Sequence, residues 1–214
     1  MIRRFVVAAA IVAGVLGASL PALATPIVGV TISNDGTTFG PGFTDLGYSF
    51  VANVATNVVS LGVWDQDGDG LLNSHEVGLW ASDGTLLAST VVSAGSAGIL
   101  DSGFRFTDIS PVPLTAGQTY YVAALFTCGN LCPDDFAVFD PTSFLLAPQI
   151  TYGSRRFLPT TTLAFPALVG SLGTTGYWGG NVRLDASAQP VPEPTTMLLL
   201  GSGLAAAFLR RRRR

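Results

Sequence analysis

The sequence predicts an all-β protein: a single β-sandwich, jelly-roll or fibronectin-like, with a signal helix before it and a single membrane helix after it. Three observations carry that expectation. Short segments rich in Val, Phe, Tyr and Thr recur between clusters of Gly, Asp, Asn, Pro and Ser, at the spacing of sandwich strands. Helical periodicity is almost missing from the middle of the chain. The two ends, unlike the middle, each combine an apolar run with arginines.

Residues 1–24 read as a secretory signal peptide. Met1-Ile2-Arg3-Arg4 supplies the charged start, Phe5 to Leu16 the apolar core and Ala22-Leu23-Ala24 the small-residue cleavage site before Thr25. The core is too short for a spanning helix with ordinary flanks.

The body, residues 25–189, is one domain's worth of chain. Strands are expected over Ile27–Ser33, Leu46–Ala52, Asn57–Trp64, Val77–Ala81, Leu86–Val92, Gly103–Thr107, Thr119–Phe126, Phe136–Phe139 and Tyr177–Leu184. Asp83-Gly84 reads as a tight hairpin turn, because both residues tolerate positive φ. Residues 141–176 are less regular, and long loops are expected there. Trp80 follows the alternation of its strand and is assigned to the core.

Between two of these strands lies Asp65-Gln66-Asp67-Gly68-Asp69-Gly70-Leu71-Leu72-Asn73-Ser74-His75-Glu76. Asp65, Asp67 and Asp69 occupy positions 1, 3 and 5 of an EF-hand loop, Gly70 the turn, the Leu71 carbonyl position 7, Asn73 position 9 and Glu76 position 12. Such oxygens wrap a hard cation, and Leu72 would point its side chain into the domain. The flanks are strand-like, so the domain is not an EF-hand. Two readings stand: a structural calcium site with a Kd of about 10⁻⁴ to 10⁻³ M, or an acidic turn that keeps the connection soluble.

Charge narrows the function. The chain has no lysine, and the body sets Arg105, Arg155, Arg156 and Arg183 against thirteen acidic residues, a balance of nine negative charges. Nucleic-acid binding is excluded, since no basic surface exists to neutralise phosphates. Cys128 and Cys132, the only cysteines, are expected to form a local disulfide in an oxidising compartment. Closing so short a loop contributes on the order of 2 kcal/mol at most in the chain-entropy model.

No catalytic constellation emerges, and a non-enzymatic protein is expected. His75, the only histidine, falls at a non-ligand position of the loop and is expected to be exposed; the serines lack a histidine base. Asp134-Asp135 reads as a solvated turn against a glycosidase-like carboxylate pair. The rival to a structural role is a carbohydrate-binding module, with Tyr177 and Trp178 as the aromatic platform.

The C-terminal residues 190–214 hold Pro192-Glu193-Pro194, an apolar stretch over 195–209 and five arginines, Arg210 to Arg214. This order resembles the PEP-CTERM sorting signal of Gram-negative bacteria. The resemblance implies recognition and processing by an exosortase, with a transient inner-membrane anchor, and delivery to the cell surface or extracellular matrix. It also implies an association with exopolysaccharide and biofilm. The arginine block stays cytoplasmic and places the body outside the inner membrane. At 1.5 Å per residue the stretch spans roughly 22 Å, short of a hydrocarbon core of about 30 Å. The alternative is a plain, unprocessed anchor.

A second resemblance rests on Val77-Gly78-Leu79-Trp80, Gly84-Thr85-Leu86-Leu87-Ala88 and Leu114-Thr115-Ala116-Gly117-Gln118-Thr119-Tyr120. Residues 40–185 are similar to a bacterial extracellular β-sandwich family of unassigned function. It implies a fold and an extracellular setting, with no catalytic motif.

Overall fold

Where apolar and polar residues alternate, strands form, and among the described residues every strand pairing is antiparallel. The computed structural model describes residues 25–33, 37–39, 42–127, 137–139, 141–170 and 176–186. The signal peptide, Cys128 and Cys132 with their expected disulfide, Asp134, Asp135, and the tail with Pro192, Glu193, Pro194 and its membrane helix lie outside them. Among the described residues there is no helix.

In chain order the strands are β1 (Ile27–Val28), β2 (Val30–Ile32), β3 (Thr37–Phe39), β4 (Thr44–Ala52), β5 (Thr56–Trp64), β6 (His75–Ala81), β7 (Leu86–Val92) and β8 (Ile99–Asp101). Then come β9 (Phe104–Leu114), β10 (Thr119–Phe126), β11 (Ala137–Phe139), β12 (Phe144–Leu146), β13 (Ile150–Pro159), β14 (Leu168–Val169), β15 (Tyr177–Trp178) and β16 (Gly180–Leu184). The main sheets are five-stranded, β1-β16-β5-β9-β8, and six-stranded, β14-β13-β4-β10-β6-β7, with small sheets β15-β11-β3 and β12-β2 beside them. The described sandwich lies within the unit Ala24–Ala188.

The expected β6–β7 hairpin forms through Asp83-Gly84. Gly84 has φ +87°, and the Asp83 carboxylate accepts the Thr85 N–H at 2.9 Å. The region expected to be loops is different: β13 runs along β4 for its whole length. Its register slips between Tyr152 and Ser154, so Gly153 breaks the alternation in sequence while the ladder continues. Similarly, β9 continues past the expected end through Pro111 and Pro113. Proline is tolerated there because β8 pairs only with Phe104–Phe106, leaving the rest of that side of β9 an edge.

The core between the main sheets is aromatic at its centre. Tyr48, Phe144, Tyr152 and Trp178 pack ring to ring, with Tyr48 and Trp178 centroids 5.2 Å apart. A buried asparagine ties the layers together. Asn181 Oδ1 accepts from Tyr48 Oη at 3.0 Å and Val30 N at 3.2 Å, while its Nδ2 donates to Val30 O at 2.7 Å. These bonds satisfy a polar group that would otherwise cost about 1–3 kcal/mol to bury.

The opposite face of the six-stranded sheet is crossed by residues 160–167. Phe165 packs against Tyr121 and Trp80 at 4.8 and 6.4 Å between centroids, so Trp80 is buried as expected, but beneath this strap. The strap is fastened where Ala164 N donates to Asp45 Oδ2 at 2.8 Å. Asp45 is fully buried and its Oδ1 has no hydrogen-bond partner. Burial pushes its carboxyl up to about 7; the Ala164 N–H works against that shift, and the Glu76 charge adds to it.

A carboxyl raised in this way holds a proton in the folded chain that the unfolded chain has already lost. Its contribution is therefore fully present below the ordinary carboxyl pKa of about 4 and is lost as pH rises through about 7. Thermal melts from pH 4 to 8 are expected to show Tm falling across that window, with a shallower fall in Asp45→Asn. Equal slopes in both proteins would remove Asp45 as the cause.

Candidate functional site

The acidic connection 65–74 carries the chain from β5 in one sheet to β6 in the other. Gly70, at φ +129°, makes the sharp turn. The structure brings Asp65, Asp67 and Asp69 together: one carboxylate oxygen of each lies within 4.8 Å of the others. Asp67 and Asp69 are exposed, whereas Asp65 is buried. Asp67 Oδ1 accepts the Asp69 N–H at 3.3 Å.

The remaining residues of the expected calcium set are used differently. Leu71 O accepts the Gly95 N–H at 2.6 Å and Leu71 N donates to Gly95 O at 3.2 Å, a bridge to the connection between β7 and β8. Asn73 is half-buried. Glu76 stands outside the carboxylate cluster because β6 has already begun at His75. Glu76 pairs with Val91, its exposed side chain on the strap-covered face, where its charge acts on Asp45. The loop therefore does not wrap as an EF-hand: strand pairing claims positions 7 and 12.

Two neighbours also reverse their expected orientation. Leu72 is 54% exposed and Leu71 is buried in its place. His75, expected at the surface, is 2% exposed; its ring packs on Phe126 and its Nδ1 lies 3.0 Å from Leu125 O. Alternation along β6 turns His75 to the core and Glu76 away from it.

A cation does occupy the inner side of the loop, and it is a side chain. Arg105 Nε lies 2.6 Å from Asp65 Oδ2, both residues buried. Its Nη2 donates to Gly68 O at 2.9 Å, and its Nη1 to Ser96 O at 3.0 Å and Gly98 O at 3.2 Å. The guanidinium fork thus ties the β5–β6 connection to the β7–β8 connection. It is suited to this role by its fixed planar set of donors. Asp65 Oδ1 accepts the Gly68 N–H at 3.2 Å, so both oxygens of this carboxylate are engaged.

The proposed aromatic platform is not formed. Trp178 is fully buried in the core cluster and Tyr177 is 8% exposed, under Arg155 and against Phe157. Neither presents a face to a sugar ring: Tyr48, Phe144 and Tyr152 pack on Trp178, and Gly179 and Gly180 let Phe126 and the β10 backbone come close to the segment.

Residues 34–179 match the family model described as "Domain of unknown function (DUF4082)", more than half of the chain. The chain belongs to that family. In this DUF4082 protein, residues 190–214 match the PEP-CTERM protein-sorting motif. That motif implies export, processing by an exosortase at the membrane, and sorting to the cell surface or extracellular space of a Gram-negative bacterium. No curated protein matches the chain.

Arg105 was missed in the sequence because Phe104 and Phe106 flank it, an alternation that reads as a charge turned to solvent. Removing it leaves Asp65 as a buried, uncompensated charge. Arg105→Met is expected to lower unfolding free energy by about 3–5 kcal/mol, and Arg105→Met with Asp65→Leu to recover most of that loss. Denaturant titration of the two variants and Asp65→Leu alone measures the coupling; strictly additive effects would show the pair to be energetically idle.

Proposed function

We propose that this DUF4082 protein is an exported, exosortase-processed, non-enzymatic component of the cell surface or exopolysaccharide matrix. The observation that carries the reading is the sorting motif at 190–214, directly after the sandwich domain. The body is compatible with it. Its only histidine is buried against Phe126, and the acidic surface suits a hydrated, polyanionic setting.

The test is made in a bacterium that carries the processing enzyme. The wild-type chain is expected at the surface or in the medium with a shortened C-terminus by mass spectrometry. Glu193→Ala is expected to stay full length in the membrane fraction. Identical processing of both chains would reject the exosortase step, and failure of the mature chain to co-fractionate with exopolysaccharide would reject the matrix assignment.

A second feature supports a calcium role within the same reading. Three carboxylates have oxygens within 4.8 Å of one another, and Arg105 pairs with the innermost of them, Asp65. This half-site would hold calcium through Asp65 Oδ1, Asp67 and Asp69 with water completing the shell, and its role would be structural. With so few protein ligands, binding belongs at the weak extracellular end, about 10⁻⁴ to 10⁻³ M. Calcium at about ten times that Kd is expected to raise Tm in wild type and not in Asp67→Asn/Asp69→Asn, whereas magnesium is not expected to substitute. No calcium-dependent shift in wild type would leave the loop as an acidic turn pinned by Arg105.

A further inference from the structure

Among the described residues, the side of the sandwich where β7 ends its sheet and β9 runs on past β8 is uncovered. β7 is the outer strand of the six-stranded sheet, and across from it, among the described residues, β9 has no strand partner beyond Phe106 on the side away from β5. Between them runs a groove of about 710 Å³, lined by Leu87, Ala88, Thr90, Ile109 and Val112 among others. Leu86 and Val91 on β7 are each 50% exposed.

Proteins guard strand edges by shortening them or by adding proline and charge. Among the described residues the other edges of the main sheets follow that rule: β1 and β14 have two residues each, β8 has three, the open part of β9 contains Pro111, Pro113 and Asp108, and the part of β13 that β14 leaves open carries Arg155 and the bulge at Gly153. β7 does not. Its seven residues, Leu86 to Val92, include no proline and no charge.

We propose that β7 pairs antiparallel with β7 of a second copy of this chain, joining two six-stranded sheets across a two-fold axis. Charge selects that occupant. The body carries an excess of nine negative charges, so most faces would repel their own copy, and β7 is a neutral strip on which two copies meet without juxtaposing carboxylates. A basic peptide is poorly matched, because Asp108 is the one charged side chain lining the groove and its carboxylate already accepts the Ser60 hydroxyl at 2.7 Å. The strand is also self-complementary. An antiparallel register centred on Ser89 sets Leu87 opposite Val91, Leu86 opposite Val92 and Ala88 opposite Thr90, each twice, as an isologous contact requires.

The register makes Ser89 its own partner, with Cα atoms about 4.5–5.5 Å apart, within disulfide range. Ser89→Cys is therefore introduced into the full chain in its membrane or surface setting, and cross-linking is read on non-reducing gels after mild oxidation. Wild type, with Cys128 and Cys132, and Thr151→Cys at an exposed position of β13 serve as controls. A two-copy band specific to Ser89→Cys is expected, falling about tenfold or more when Val91→Lys is added, while protease resistance of the Val91→Lys chain stays that of wild type. The proposal is overturned if Ser89→Cys cross-links no more than Thr151→Cys, if Val91→Lys leaves the band intact, or if the product contains a different protein.

Discussion

A guanidinium buried among carbonyls holds one end of this sandwich together. The chain must pass from one sheet to the other between β5 and β6, and again between β7 and β8, and both connections are rich in glycine, aspartate and serine. Of the first, Leu71 is buried in the core and Leu72 is exposed; the rest is polar or glycine. Arg105 supplies what they lack: donors that reach Asp65, Gly68, Ser96 and Gly98 from a strand in the middle of a sheet. The desolvation cost of such a charge is large, and it is offset only because a carboxylate and three carbonyls meet it in good geometry.

That arrangement changes what the acidic loop is. In an EF-hand the ion gathers a loop that has no other organiser. Here the inner carboxylate is already satisfied by Arg105, the Leu71 carbonyl belongs to a strand-like bridge, and Glu76 belongs to β6. Asp67 and Asp69 are exposed, and any ion would be added to a loop that already has its shape.

The same economy runs through the rest of the body. Aromatic residues are spent on packing: Trp178 with Tyr48 in the core, Trp80 beneath Phe165 on the other face of the sheet. The body's charge is mostly acidic, and among the described residues the long uncharged strand at a sheet edge is β7.

By itself the sequence determined the all-β class, most strand positions, the Asp83-Gly84 turn and the sorting tail, because each is written in neighbouring residues: alternation, positive-φ tolerance, and a fixed order of Pro-Glu-Pro, apolar run and arginines. Leu86–Val92 and Thr119–Phe126 fall where the alternation placed them. It did not determine β13, whose bulge at Gly153 hides the period, nor Asp45, which reads as a strand-end charge until a strap 119 residues away covers it. Only the tertiary structure decided that Arg105 turns inward, that His75 and Trp178 are core, and that Leu71 and not Leu72 is buried. Each of those outcomes depends on which distant segment packs over the residue, and the free energy of burying a side chain is set by that cover and its hydrogen bonds, which local pattern does not contain.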